Sequence, residues 1–186
     1  PGLRVGLLGG SFNPAHEGHR HVSEAALKAL QLDRVWWLVS PQNPLKPAKG
    51  MASLEARLKA ARALIRDPRL LVTDIERLLG TRYTADTLVK LKRRFPGTHF
   101  VWLMGSDNLI QIPRWRDWRR IFALVPVAVI ARPGSAVKAL SGTAAQRFAA
   151  ARCAPSAGFA TAKPPAWTFI ETRRSPASAT ALRARP

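Results

Sequence analysis

Along the chain, short apolar runs alternate with stretches in which apolar residues recur every three to four positions. "LRVGLL" (3–8) is an apolar run of strand length, and the stretch after it has helical spacing from Val22 to Leu30, with a start near Gly18. "RVWWLVS" (34–40) combines β-branched and aromatic residues suited to a second strand. The proline-rich "PQNPLKPAKG" then interrupts regular structure. "SLEARLKAARALIR" (53–66) predicts a helix N-capped by Ser53, "LLVTDI" (70–75) a third strand, and "TADTLVKLKRRF" (84–95) a helix capped by Thr84. A fourth strand over "HFVWLMG" (99–105), a short helix over "WRRIFAL" (118–124) and a fifth strand over "VAVIARPG" (127–134) continue the series. From Ser135 to about Pro165 the pattern weakens: "AQRFAAARC" reads as helix and "APSAGFATAKPP" as low-complexity loop. A last strand, "WTFIE" (167–171), precedes a short helix from about Ala177.

Strand and helix alternating in this way require crossover connections, which are right-handed and favour parallel pairing. The expected fold is therefore α/β: a Rossmann-like, doubly wound, mainly parallel sheet with helices on both faces. One domain accounts for residues 1–186, closed by the helical element from about 177. In such sheets ligands bind beyond the C-terminal strand ends, near the point where strand order switches. The glycine turn after the first strand, "GSDN" after the fourth and "RPG" after the fifth all fall at that end.

Composition narrows the choice of partner. The chain is 47% hydrophobic, as globular proteins are, yet holds no apolar run of the roughly 20 residues needed to cross a bilayer. No signal-peptide pattern is visible at its start, and the lone Cys153 cannot form an internal disulfide, so a cytoplasmic protein is expected. A net charge of +19 draws anions, whether nucleotide or nucleic acid. Basic residues are scattered over many segments, which favours solvated faces and a small anionic substrate over nucleic acid.

The richest chemistry lies in "GLLGGSFNPAHEGH" (6–19). Gly9 and Gly10 lack β-carbons, so the backbone there can approach a ligand and adopt positive φ. The helix that follows offers free N–H groups and the positive end of its dipole to an anion. His16 and His19 stand three apart, one before the helix and one in its first turn, so both rings can reach one phosphate from the same side.

These residues carry a resemblance. "GGSFNPAHEGH" resembles the signature of the nucleotidyltransferase superfamily with a glycine-rich turn and a His-x-Gly-His motif. Within it, "SPQNPLKP", "TDIERLLGTRYTADTL", "WLMGSDNL", "PRWRDW" and "SATALR" occur in the order of the bacterial nicotinate-nucleotide adenylyltransferases. The similarity covers most of residues 3–185 and is weakest over 135–166. It implies transfer of AMP from ATP to nicotinate mononucleotide, giving deamido-NAD and pyrophosphate, by direct in-line attack on the α-phosphate. The attacking phosphate is already an anion, so positioning and electrostatic stabilisation are the chemistry required, and no strong base is needed.

Residue by residue, the resemblance places ATP against Gly9, Gly10, Ser11, Phe12, His16 and His19, then Gly105 and Asp107, and at the C-terminus Ser178, Thr180 and Arg183. His16, His19, Lys46 and Arg183 would steady the reacting phosphates. Ala179 stands where the family usually has serine, and Ala177 where it has a larger apolar residue, which removes one side-chain contact but no backbone donor. Asp107 suits ribose hydroxyls, a helix cap or the water shell of a metal. Mg²⁺ is implied with ATP, held mainly by phosphates and water, and no His/Cys cluster points to a tightly bound transition metal. On the acceptor side, Trp115 would stack on the pyridinium ring, with Tyr83, Thr84 and Lys46 nearby. Core packing is the other role open to Trp115, and capping the other role open to Thr84. Two further readings stay open: transfer to another phosphate acceptor, such as phosphopantetheine or nicotinamide mononucleotide, and a basic nucleic-acid-binding module.

Overall fold

The computed structural model describes residues 2–41 and 50–172. Six strands among them form one sheet: β1 (Arg4–Gly10), β2 (Arg34–Val39), β3 (Leu70–Thr73), β4 (His99–Gly105), β5 (Val127–Ile130) and β6 (Trp167–Ile170). Their order is β3-β2-β1-β4-β5-β6 and every pairing is parallel, so the sheet is wholly rather than mainly parallel. The chain winds outward from β1 to β3, returns to lay β4 against the other side of β1, and winds outward again. The β1/β4 boundary is thus the switch point of a doubly wound fold.

Eight helices connect these strands among the described residues: α1 (Glu17–Leu30), α2 (Leu54–Leu64), α3 (Ile75–Leu79), α4 (Thr84–Arg94), α5 (Ser106–Gln111), α6 (Trp118–Leu124), α7 (Ala136–Leu140) and α8 (Thr143–Arg147). Both faces of the sheet are covered. On one, Val22, Ala26 and Leu30 of α1 and Leu58 and Ala61 of α2 pack against Leu8, Trp37 and Leu103. On the other, Leu88 and Leu91 of α4, Leu109 of α5 and Phe122 of α6 pack against Leu7, Trp102 and Met104. Neighbours Leu7 and Leu8 point to opposite layers because strand side chains alternate. Two-sided burial also explains why β4 and β5 read as unbroken apolar runs.

Several boundaries differ from those expected. β3 stops at Thr73 rather than Ile75: Asp74 leaves the extended region (φ −101°, ψ 32°) and starts α3, which ends at Gly80 in the left-handed conformation. β5 stops at Ile130, where Pro133 and Gly134 (φ 76°) take the chain into a turn. Ser53 caps α2 as expected, its hydroxyl accepting from the Ala56 N–H at 3.1 Å. Thr84 does not cap α4. Tyr83 holds the extended cap conformation (φ −115°, ψ 139°) and Thr84 is already helical. The stretch expected to be low-complexity loop holds a 3-10 turn, Phe159–Thr161, whose Phe159 and Ala160 are buried in the α1 layer of the core. The expected helix from about Ala177 lies outside the described residues. Among the described residues, no helix is long and apolar enough to cross a membrane.

Candidate active site

At the switch point β1 ends in Gly9 and Gly10, opposite Leu38 and Val39 of β2. Neither glycine takes the positive φ expected of it; that conformation falls to Phe12, at φ 47°. A bulky residue is strained there. Phe12 is held by its ring, 1% exposed, which stacks on Trp37 at 5.2 Å and lies 4.5 Å from the His19 ring. Gly9 is required for packing: a β-carbon would stand 2.6 Å from Cη2 of Trp102.

The two histidines build the start of α1 between them. The Gly18 N–H donates to Nδ1 of His16 (3.1 Å), and the His16 N–H donates to Nδ1 of His19 (3.2 Å). This is a reciprocal capping box with imidazoles in place of the usual hydroxyl and carboxylate. It brings the ring centroids to 4.0 Å. Because each Nδ1 accepts, a neutral ring carries its proton on Nε2, at the side away from the helix backbone. Beneath His19, the Ser23 hydroxyl donates to the His19 carbonyl (2.9 Å) and receives the indole N–H of Trp37 (2.7 Å). The first turn of α1 is therefore fixed from inside the core.

Across the switch point, Gly105 ends β4 and precedes α5. A β-carbon on Gly105 would collide with Asp107 Oδ1 and lie 2.6 Å from Arg132 Nε. Asp107 is the second residue of α5 and makes no cap bond, so the capping role does not apply. Its Oδ1 is buried without a hydrogen-bond partner among the described residues, with Arg132 Nε at 3.4 Å as an ion pair. The Arg132 N–H donates to the Ser106 hydroxyl (2.8 Å), which also meets that of Ser135 (2.6 Å), so "GSDN" and "RPG" are joined directly.

Trp115 follows a 3-10 turn, Ile112–Arg114, and is half-buried. It stands edge-on to Trp102 (6.4 Å, 86°), and the rim of Trp102 is what fills the space above Gly9. One buried indole thus touches both the glycine turn and Trp115. Trp118, also half-buried, stands edge-on to Phe122 and Phe148, and both Trp115 and Trp118 pack against the same core layer. Tyr83 lies at the start of α4 with the Arg116 guanidinium 4.7 Å above its ring. Lys46, Ser178, Thr180 and Arg183 lie outside the described residues.

Two buried charged residues escaped the sequence reading. Arg57 of α2, 3% exposed, donates to the carbonyls of Ser11 (2.7 Å), Ser40 (2.8 Å), Pro41 (3.0 Å) and Ala52 (3.0 Å). Burial lowers its pKa from the ordinary value. Its signal was available: Arg57 occupies the same helical stripe as Leu58 and Ala61. Glu76 of α3 is buried too, with hydrogen bonds from the hydroxyls of Thr87 (3.2 Å) and Ser40. Burial pushes this carboxyl up to about 7, although both hydrogen bonds pull the other way. No periodicity marked it, because α3 has only five residues.

Comparison with known proteins identifies the family. The family model described as cytidylyltransferase-like matches residues 7–185. A protein of Parvibaculum lavamentivorans named "probable nicotinate-nucleotide adenylyltransferase" is 56% identical over all of this chain and 93% of its own length. One of the same name from Cereibacter sphaeroides is 56% identical over 97% of this chain and 96% of its own. Among solved structures, the Plasmodium falciparum nicotinic acid mononucleotide adenylyltransferase complexed with NaAD superposes with a TM-score of 0.67. At 16% identity over 96% of this chain and 78% of that one, it speaks to the fold alone. A family model spanning nearly the whole chain, and relatives more than half identical over more than nine-tenths of their own length, place this protein in the cytidylyltransferase-like family and, within it, among the nicotinate-nucleotide adenylyltransferases.

Proposed function

We propose that the protein transfers AMP from ATP to nicotinate mononucleotide, releasing pyrophosphate and forming deamido-NAD. The observation that carries this reading is the double-histidine capping box at the end of β1, beside the switch point. A phosphate oxygen of the mononucleotide attacks the α-phosphorus of ATP, and the bond from that phosphorus to the pyrophosphate oxygen breaks as the new one forms. No proton needs to move, so the site needs donors rather than a base. Nε2–H of His16 and of His19 supplies them to the α-phosphate oxygens, with the Gly10–Phe12 backbone alongside. Lys46 and Arg183 add positive charge to the phosphates, and Ser178 and Thr180 contribute hydroxyls.

Asp107 receives the ribose hydroxyls. Its buried Oδ1, without a hydrogen-bond partner among the described residues, is the kind of atom such a ligand satisfies. The same carboxylate fits the water shell of Mg²⁺, and no group of three His, Cys, Asp or Glu able to cage an ion occurs among the described residues. When bound with ATP, the ion would neutralise phosphate charge. Trp115 stacks on the pyridinium ring, and N–H groups at the start of α4, near Tyr83 and Thr84, receive the nicotinate carboxylate. An amide would present its own N–H₂ to those donors, so the acid is preferred. The test is pyrophosphate release with ATP, Mg²⁺ and either mononucleotide. The expected result is turnover with nicotinate mononucleotide and at least about tenfold lower kcat/KM with the amide. Equal rates would refute the recognition mode, and release only with another acceptor would refute the substrate.

A further inference from the structure

We propose that Glu76 is a positioning residue that, through Ser40 and Arg57, holds the acceptor-binding start of α4 in fixed relation to the phosphate turn. This inference rests on the function proposed above and concerns residues that touch no substrate.

Ser40 is the junction. Its N–H donates to the Gly10 carbonyl at 2.9 Å, tying it to the end of β1. Its own carbonyl accepts from Arg57, and the same Arg57 nitrogen also holds the Ser11 carbonyl. The Ser40 hydroxyl reaches Glu76. On the far side, Glu76 accepts from the hydroxyl of Thr87, which is fully buried in the first turns of α4 and also lies 3.2 Å from the Tyr83 carbonyl. Thr81 closes the arrangement, with its N–H on the Glu76 carbonyl (2.9 Å) and its hydroxyl 2.9 Å from that of Thr87. Polar contacts therefore lead from the donor turn through Ser40 and Arg57 to Glu76, and from Glu76 through Thr87 to the start of the acceptor helix.

Its location argues for a purpose beyond stability. Burying a carboxyl is costly, and an apolar pair at 76 and 87 would fill similar space without that penalty. What an apolar pair cannot do is fix direction: hydrogen bonds set where α4 begins, and a misplacement of about 1 Å at a reacting centre costs about 100-fold. In-line transfer requires the acceptor phosphate to be placed more finely than that relative to the α-phosphorus.

Steady-state kinetics on Glu76→Ala, Glu76→Gln, Ser40→Ala and Thr87→Val tests the proposal. In Glu76→Ala, the KM for nicotinate mononucleotide should rise about tenfold, as expected for lost hydrogen bonds at a buried polar group, with the KM for ATP within about twofold of wild type. Ser40→Ala and Thr87→Val, each losing one hydroxyl, should shift the same constant in the same direction. Glu76→Gln keeps the shape and the hydrogen-bonding capacity and should restore it. A fall in kcat with both KM values unchanged would mean mere loss of folded protein, and equal rises in both KM values a general distortion of the site; either would overturn the proposal. If Glu76→Ala does not fold, the two hydroxyl variants decide. Hydrogen exchange in the substrate-free chain gives an independent readout: amides 84–88 should exchange faster in Ser40→Ala and Thr87→Val than in wild type, and unchanged exchange counts against the network. Absence of wild-type turnover with nicotinate mononucleotide would refute the function proposed above, while the exchange result would still judge the network.

Discussion

Replacing Glu76 by glutamine should flatten the pH dependence of stability above about pH 5, and the size of the effect can be worked from the burial of one carboxyl. An ordinary glutamate titrates at 4.5, whereas in the folded protein burial pushes Glu76 up to about 7. Below the lower value both folded and unfolded chains hold the proton and nothing is lost. Between the two, the unfolded chain releases its proton and the folded one keeps it, so the native state weakens as pH rises. Above about 7 both are ionised and the full difference has been lost. At about 1.4 kcal/mol per pH unit, the interval amounts to about 3 kcal/mol. The residue is only 6% exposed, so solvent screening does little to reduce it. Glutamine accepts from Thr87 as the acid does and has no charge to bury. Urea unfolding followed by tryptophan fluorescence, at intervals from about pH 5 to about pH 8, should show wild type losing stability relative to Glu76→Gln by up to this amount. Asp33 and Asp67, whose arginine partners lower their pKa values, titrate in the acid range with the opposite sign and cancel in the difference. Parallel stability curves for the two proteins would refute the assignment.

Three further outcomes are expected. His19→Ala should lower kcat by about 100- to 1000-fold, as loss of one transition-state donor does, while ATP binding measured by equilibrium dialysis changes far less. Equal losses in both would remove His19 from the transition state. Trp115→Ala should raise the KM for nicotinate mononucleotide and leave that for ATP nearly unchanged; an unaltered acceptor KM would exclude ring stacking. Gly9→Ala brings a β-carbon to 2.6 Å from Trp102 and should lower stability by about 1–3 kcal/mol, seen as a fall in Tm; an unchanged Tm would show that the indole moves aside.

The alternation of strands and helices is enough to reach a doubly wound parallel sheet, because central strands such as β4 and β5 are buried on both faces and read as apolar runs. Ser53 was legible for a local reason: a serine just before an amphipathic stretch caps through its own hydroxyl. Where tertiary contacts decide, local reading failed. Gly9, open in the sequence to positive φ and close ligand approach, takes no positive φ and is a clearance for Trp102, a residue more than ninety positions away in sequence. Phe12, which no propensity would place at positive φ, is held there by Trp37. Residue type points to Thr84 as the cap, whereas the extended backbone at Tyr83 sets the boundary. At the site, spacing alone brought His16 and His19 together, since three positions along a helix start share a face. Their mutual capping was hidden because histidine is not among the favoured cap residues. Glu76 and Ser40 lie within the quoted motifs, but nothing local singles them out, as their meaning arises only when β2, α3 and α4 pack.

The imidazole cap has a practical consequence for how this catalyst is armed. Rings that serve as the keystone of a helix cannot be loose while that helix exists, so the freedom they surrender is surrendered once, during folding, and not again at every turnover. With the roles proposed for His16 and His19, fraying of the first turn of α1 would disarm the protein before the sheet comes apart. Heat or mild denaturant should therefore silence the reaction while the bulk of the molecule still looks native.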